Sequence, residues 1–159
     1  MLEITPAVYL NSHDDVLNGL ATQKSEAAQK SAQAVNPTIL VVDDQHLIAD
    51  TTALVLNGSG FRAVRAYEGD AALRMAIEIK PNYLLTDILM PGMNGVELAI
   101  AVRKLLPDTQ IVLFSGQAGI TDLLRQAKDH GYEFDLLAKP IHPEKLLGHL
   151  KAKTPAFRK

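Results

Sequence analysis

The chain has 159 residues, of which 47% are hydrophobic and 21% are charged, and this composition is typical of one globular domain. It contains no cysteine, which excludes disulfides, thiolate catalysis and a thiolate zinc site. No apolar run approaches the roughly 20 residues needed to cross a bilayer, and no secretory signal is visible at the start. We therefore expect a cytoplasmic protein with no membrane partner.

The net charge of −2 is unevenly distributed along the chain. Residues 1–36 hold four acidic and two basic residues, whereas residues 37–159 hold fourteen of each. A neutral main part argues against a large basic surface for nucleic acid. We therefore expect no direct DNA binding.

Residues 1–36 differ in composition from the rest of the chain. Residues 21–34 are rich in Ala, Gln, Ser and Lys, with no aromatic or large aliphatic residue. They could be helical by propensity, but they lack an apolar face that would pack on a core. The sequence predicts a flexible or partly helical extension over 1–36, a domain over 37–153 and a tail over 154–159.

After Asn36-Pro37, short apolar runs alternate with helical patterns. The predicted strands are 38–43, 61–66, 83–87, 110–114 and 134–138. The predicted helices are 45–57, 70–80, 94–105, 118–129 and 143–152. In the first helix, the expected core positions are Leu47, Ile48, Leu54 and Val55. This alternation predicts an α/β fold with a parallel sheet and right-handed crossovers.

Chemically capable side chains stand where four of the apolar runs end. These side chains belong to Asp43, Asp44, Asp87, Ser115 and Lys139. The carboxyl ends of parallel strands lie along one edge of a sheet, where ligands bind in open α/β folds. We therefore expect these side chains to form one site.

Three clustered carboxylates repel each other and raise each other's pKa unless a cation joins them. Mg²⁺ satisfies such a set, because it binds carboxylate and carbonyl oxygens and keeps several waters. One carboxylate can then attack phosphorus and form an acyl phosphate. Ser115 and Lys139 can bind the phosphoryl oxygens.

In these residues the chain resembles the receiver domain of two-component response regulators. The matching motifs are Asp43-Asp44, the segment from Asp87 to Gly95, Ser115-Gly116 and Lys139-Pro140. The resemblance covers about residues 37–152. It implies a flavodoxin-like (βα)5 three-layer sandwich with strand order 2-1-3-4-5. It also implies a cis bond between Lys139 and Pro140.

The resemblance further implies the role of each site residue. Asp87 would accept a phosphoryl group from a histidine kinase or a histidine phosphotransfer protein. Asp43, Asp44, Asp87 and the main-chain carbonyl of Leu89 would hold Mg²⁺. The phosphorylated protein would then present a changed surface to a partner protein.

Each residue also has a simpler interpretation. Asp44 could be an N-cap, Asp87 a loop acid, Ser115 part of a turn and Lys139 a solvated lysine. His46, beside the acid pair, is expected to be an exposed histidine in the first turn of a helix rather than a ligand. All five chemical residues at strand ends together favour the site.

Two other functions stay open at this stage. The first is a receiver-like interaction domain that is not phosphorylated. The second is a phosphohydrolase, but such enzymes commonly carry an acid two positions after the nucleophile, where this chain has Leu89. We expect no enzyme activity beyond self-phosphorylation from small donors and slow autodephosphorylation, whose rate Gln117 could affect.

The chain departs from the family in two respects. Leu136 stands at the position, three before the lysine, that is usually aromatic, and the separation of Ser115 from Lys139 is slightly long. The extra residues are predicted to lie within 118–135. We hypothesise that the switch works through repacking of the fourth helix and its loop. The chain also resembles the single-domain class, which lacks an effector domain.

Overall fold

Strands and helices alternate along residues 35–116 and 120–155, which are the residues that this computed structural model describes. Within them lie five strands and five helices. The strands are β1 (Thr38–Val42), β2 (Arg62–Ala66), β3 (Tyr83–Asp87), β4 (Gln110–Ser115) and β5 (Asp135–Ala138). The helices are α1 (His46–Asn57), α2 (Gly69–Ile79), α3 (Gly95–Leu105), α4 (Thr121–Asp129) and α5 (Pro143–Lys153).

The five strands form one parallel sheet in the order β2-β1-β3-β4-β5. Neighbouring residues of each strand face opposite sides, as Leu40 and Ile39 in β1 show. Leu40 packs in a core with residues of α2, α3 and α4, whereas Ile39 packs with residues of α1 and α5. The predicted three-layer flavodoxin-like sandwich is therefore confirmed.

Burial on both faces explains why the central strands are nearly all apolar. All five residues of β3 are buried, and so are four of the five residues of β1. The strand register aligns Val42 with Thr86 and aligns Asp87 with Phe114. Ser115 is aligned with Ala138, directly before Lys139. The strand ends that carry the chemical side chains thus lie along one edge.

The predicted core face of the first helix is wrong in part. Leu47 and Leu54 are 79% and 73% exposed, and Ile48 and Val55 are only half-buried. The buried residues of α1 are Ala49, Ala53 and Leu56. This face follows helical spacing, and its two alanines allow the helix to lie close to the sheet. Leu47 and Leu54 are seven residues apart and share the opposite, solvent-facing side.

Helix α4 and the edge strand β5 are less buried than the central strands β1, β3 and β4. Ala127 is the one buried residue of α4, and Leu137 is the one buried residue of β5. The predicted start of the fourth helix at 118 and Gln117 lie outside the described residues. No helix in the described part of the chain is long and apolar enough to cross a membrane.

The predicted extension over 1–36 and the tail over 154–159 lie almost wholly outside the described residues. Val35, the first residue described, is 87% exposed. The division of the chain into extension, domain and tail stays a prediction.

Pro143 begins α5 at its first helical position, as the sequence predicts.

Candidate functional site

Three aspartates meet where β1 and β3 end. Asp43 and Asp44 follow β1, and Asp87 is the last residue of the neighbouring β3. One carboxylate oxygen from each lies within 4.8 Å of the others. Asp43 and Asp87 are buried and Asp44 is half-buried. The structure therefore brings the three predicted acids into one cluster.

Lys139 contacts two of these three carboxylates. Its Nζ donates to Oδ2 of Asp43 at 2.7 Å and lies 3.3 Å from Oδ1 of Asp87. The main chain fixes the base of the side chain, since the Lys139 N–H donates to the Ser115 carbonyl at 2.7 Å. The Lys139-Pro140 bond is cis, which confirms that prediction. A long, flexible ammonium side chain suits this position because it reaches from β5 across β4 to the acids.

Asp87 is placed in surroundings that work against its charged form. Burial raises the pKa of Asp87 above its ordinary value, and the charge of Asp43 raises it further. Lys139 and the hydrogen bond from the Ile88 N–H, 3.0 Å from Oδ1, act in the opposite direction. The net result is a carboxylate whose charge the protein alone does not fully stabilise. An additional cation would stabilise it.

The pKa of Lys139 responds to the same cluster. Burial alone would lower it, but the hydrogen bond to Asp43 and the charge of Asp87 raise it above its ordinary value. Lys139 is therefore held as an ammonium at neutral pH. It supplies a fixed positive charge beside the two buried carboxylates.

A cavity of about 320 Å³ opens onto this cluster. It is lined by Asp44, Gln45, Ile48, Asp87, Leu89, Ser115, Gly116 and Lys139. Ser115 is buried at the end of β4, is aligned with Ala138 of β5 and lines the cavity. Leu89 lies at its edge, while ligation by the Leu89 main-chain carbonyl stays a prediction. The cavity is a space in which a small anion could approach Asp87.

The donor set fits a hard divalent cation. The clustered atoms are carboxylate oxygens, which Mg²⁺ and Ca²⁺ prefer, with no soft or imidazole ligand among them. Asp43, Asp44 and Asp87 could thus hold a metal ion. His46 is not part of the cluster. It is exposed and its ring stacks on Tyr67 with 3.8 Å between centroids, as expected for a first-turn residue.

The simpler interpretation of Asp44 as a helix cap does not hold. The N-cap of α1 is Gln45, and its side chain makes no capping hydrogen bond. Oδ1 of Asp43 instead accepts from the Gln45 N–H at 3.0 Å. The first acid thus fixes the start of α1, and the second is directed to the cavity that Asp87 also lines.

Sequence reasoning missed the role of Gly95 in supporting the site. A Cβ on Gly95 would lie 1.9 Å from the main-chain oxygen of Asp87. The Gly95 N–H donates to the Ile88 carbonyl at 2.8 Å. Helix α3 therefore begins in direct contact with the backbone of the phosphoacceptor candidate, and only glycine allows this approach.

A capping box holds the same helix start. The Asn94 side chain accepts from the N–H groups of Val96 and Glu97, and the Glu97 carboxylate accepts from the Asn94 N–H. The pattern Asn94-x-x-Glu97 is readable in the sequence as a helix start. The sequence therefore predicts the start of α3 after the loop that follows Asp87.

Comparisons with known proteins agree with this geometry. The family model of the response regulator receiver domain matches residues 39–151. The DNA-binding response regulator MtrA of Mycobacterium tuberculosis is 32% identical over 115 residues, which are 72% of this chain and 49% of that protein. The phosphate regulon transcriptional regulatory protein PhoB of Pseudomonas aeruginosa is 32% identical over 120 residues, which are 74% of this chain and 52% of that protein. The chain thus spans about half the length of these relatives.

Solved structures give the same result. The chemotaxis protein CheY4 of Vibrio cholerae superposes with a TM-score of 0.67 at 27% identity, covering 76% of this chain and all of that one. A CheY-like response regulator receiver domain protein from Methanospirillum hungatei gives a TM-score of 0.66 at 30% identity, covering 74% and 93%. This chain belongs to the response regulator receiver domain family and carries a receiver domain of two-component signalling.

Proposed function

We propose that Asp87 accepts a phosphoryl group from a phosphohistidine, in a reaction that depends on Mg²⁺. Receiver domains interact with histidine kinases or phosphotransfer proteins, and we assign that class of donor to this chain. The observation that carries the proposal is the position of Asp87. It is a buried carboxylate beside two further acids and one ammonium, and it lines an open cavity.

The reaction needs one bond formed and one bond broken. A carboxylate oxygen of Asp87 attacks the phosphorus, and the bond from phosphorus to the donor imidazole nitrogen breaks. The electron pair of that bond stays on the imidazole, and an acyl phosphate forms on Asp87. The Lys139 ammonium and the Ser115 hydroxyl bind oxygens of the transferred group and hold it in line.

The acids provide the metal site. Asp43, Asp44, Asp87 and the Leu89 main-chain carbonyl would hold Mg²⁺. When bound, the ion neutralises the negative charge that gathers between the carboxylates and the phosphoryl group. Asp87 must be ionised to react, and burial raises its pKa above the ordinary value in the metal-free protein. With the ion bound, the neighbouring positive charge would lower that pKa and favour the ionised form.

The output is a changed surface for a partner protein. We propose no enzymatic turnover beyond self-phosphorylation from small donors and slow autodephosphorylation, since Leu89 stands where a general acid would be needed. MtrA is named a DNA-binding regulator, but the matched part is half of that protein. The absence of an effector domain, the absence of direct DNA binding and a cytoplasmic location stay predictions.

Intact-mass spectrometry tests the proposal. The full chain is incubated with acetyl phosphate, with and without Mg²⁺, beside the variants Asp87→Asn and Asp108→Asn. We expect a gain of one phosphoryl group that requires Mg²⁺, is lost in Asp87→Asn and persists in Asp108→Asn, an exposed acid far from the cluster in sequence.

The alternative is an interaction domain that is not phosphorylated, and it predicts a different result. It requires no mass gain in a protein that is folded and still binds Mg²⁺. Circular dichroism and calorimetric Mg²⁺ titration of the same samples supply those two checks. That combination would overturn the proposal.

A further inference from the structure

Gln45 is the one polar residue lining the Asp87 cavity, among the residues that the structure describes, to which the proposed transfer gives no role. The other polar residues of the lining are Asp44 and Asp87, which serve the ion and the nucleophile, and Ser115 and Lys139, which bind the phosphoryl oxygens. Gln45 is exposed, so a group that enters the cavity can reach it. Its part in the reaction is therefore an open question of chemistry.

The main chain of Gln45 is held on both sides. Its N–H donates to Oδ1 of Asp43 at 3.0 Å, and its carbonyl accepts from the N–H groups of Ile48 and Ala49 at 3.0 and 3.1 Å. Oδ2 of the same Asp43 accepts from Lys139, so this anchoring ties Gln45 to the charged cluster. The Cα of Gln45 thus has a defined place in the cavity wall.

Helix capping does not explain a glutamine at this position. Gln45 is the N-cap of α1, where Ser, Thr, Asp and Asn stabilise a helix because their short side chains accept from its first N–H groups. The Gln45 side chain makes no capping bond, and its carboxamide has no hydrogen-bond partner among the described residues. The helix would gain from another residue, whereas a ligand in the cavity would gain from an exposed carboxamide.

The leaving group of the proposed transfer carries a hydrogen-bond donor. A phosphohistidine ring has phosphorus on one nitrogen and, in its reactive form, a proton on the other nitrogen. When the bond from phosphorus to nitrogen breaks, the electron pair returns to the ring, the proton stays on the second nitrogen, and neutral imidazole departs. That N–H needs an acceptor at the cavity wall, because the acids and Ser115 are already assigned to the ion and the phosphoryl group.

We propose that Gln45 determines specificity for the phosphodonor, with Oε1 of its carboxamide accepting from the N–H of the phosphohistidine ring. The inference rests on the proposed function of Asp87. The hydrogen bond favours the protonated ring, which is the better leaving group, and orients it for in-line transfer. An acyl phosphate has no such N–H, so Gln45 selects for N-phosphorylated imidazoles as a class.

The test compares two phosphodonors that share the phosphoryl group and differ in the leaving group. The full chain is incubated with Mg²⁺ and either N-phosphorylimidazole or acetyl phosphate, and intact-mass spectrometry gives each rate. Gln45→Met keeps the length but loses the acceptor, and should lower the ratio of the imidazole rate to the acetyl rate roughly tenfold, because a hydrogen bond to a charged group is lost. Gln110→Met, at an exposed glutamine that begins β4, should keep the ratio.

Two further variants separate the acceptor from the helix cap. Gln45→Glu retains an acceptor oxygen and should keep or raise the ratio. Gln45→Ser supplies a better N-cap but is too short to reach the ring, so it should maintain or raise the melting temperature while lowering the ratio.

The outcomes distinguish this role of Gln45 from the function of Asp87. A ratio that Gln45→Met leaves unchanged, or that falls equally in Gln45→Glu, would overturn the role of Gln45 while Asp87 remains the acceptor. No mass gain from either donor would overturn the phosphoacceptor function, and this inference with it.

Discussion

Strands β3 and β5 both lead into a functional side chain, but they are packed very differently. All five residues of β3 are buried, whereas Leu137 is the one buried residue among the four of β5. β3 lies between two strands and under helices on both faces, while β5 is an edge strand beside a cavity. The proposed acceptor Asp87 thus stands on a fully buried strand. Leu136 stands on a strand that is mostly exposed or half-buried.

This difference in burial assigns the proposed phosphoacceptor and the proposed responding surface to separate parts of the domain. A nucleophile that must meet phosphorus in one geometry benefits from a strand that packing holds firmly. A surface that must change after phosphorylation belongs to the less stable part of a domain, where few apolar contacts resist rearrangement. The contrast between β3 and the α4–β5 region is therefore the physical basis of the proposed switch.

Two leucines on these strands should differ most in how much unfolding free energy their removal costs. Leu85→Ala in β3 removes a fully buried side chain and should lower the free energy of unfolding by about 2–5 kcal/mol. Leu136→Ala in β5 removes a side chain that is 44% exposed and should cost less than about 1 kcal/mol. Urea unfolding of both variants measures the difference. Equal losses would remove the contrast between the strands.

Two glycines test whether the loop after Asp87 depends on the close approach of Gly95 to the Asp87 backbone. Gly95→Ala places a Cβ against the Asp87 carbonyl and should destabilise the fold by about 1–3 kcal/mol or more. Gly148→Ala in α5 meets nothing within 4 Å and should be neutral or stabilising by up to about 1 kcal/mol. Thermal unfolding of the two variants checks this. A tolerated Gly95→Ala would show that the loop after Asp87 can shift.

The raised pKa of Asp87 predicts a smaller, pH-dependent effect. A group whose pKa is raised in the fold contributes stability at low pH, and this contribution is lost as pH rises through the folded pKa. Without Mg²⁺, Asp87→Asn should therefore be more stable than the parent protein at pH 7. The advantage should shrink as the solution is acidified. Melting temperatures across pH 4–8 measure it, and a variant less stable at pH 7 would contradict the burial argument.

The smallest expected effect concerns the response region. Binding of beryllofluoride with Mg²⁺, as a phosphoryl mimic, should change amide hydrogen exchange within residues 116–136 and leave the amides of β3 protected. The expectation follows from Leu136 at the position that is usually aromatic and from the sparse burial of α4. Unchanged exchange at 116–136 would reject repacking of α4 and its loop as the switch.

Much of the chemical site could be predicted from the sequence, because strands covered on both faces are apolar until they end. Asp43, Asp87 and Ser115 are therefore visible as polar residues at the ends of apolar runs, and the register brings them together. The order of strands came from the family resemblance rather than from the pattern alone. Gly95 lies in the segment that resembles the family, but its contact with the Asp87 backbone depends on how α3 meets β3.

Other features depended on tertiary distances that a linear pattern does not contain. Leucine and alanine both count as apolar, so the pattern favoured Leu47 and Leu54 over Ala49 and Ala53 as the core of α1. Because α1 lies close to the sheet, its small alanines rather than Leu47 and Leu54 face the core. In the same way, Arg103 is an ordinary cation near a helix end until the structure places it over Phe134 at a cavity wall.

Chemical trapping identifies which acid of the cluster is the nucleophile, a role that we assign to Asp87 alone. Borohydride reduces an aspartyl phosphate to homoserine, so treatment of the protein after incubation with acetyl phosphate and Mg²⁺ marks the modified residue. Peptide mass spectrometry should find homoserine at position 87 and none at positions 43 and 44. Homoserine at position 43 or 44, or no homoserine in a protein that has gained phosphate, would rule out Asp87 as the one phosphoacceptor.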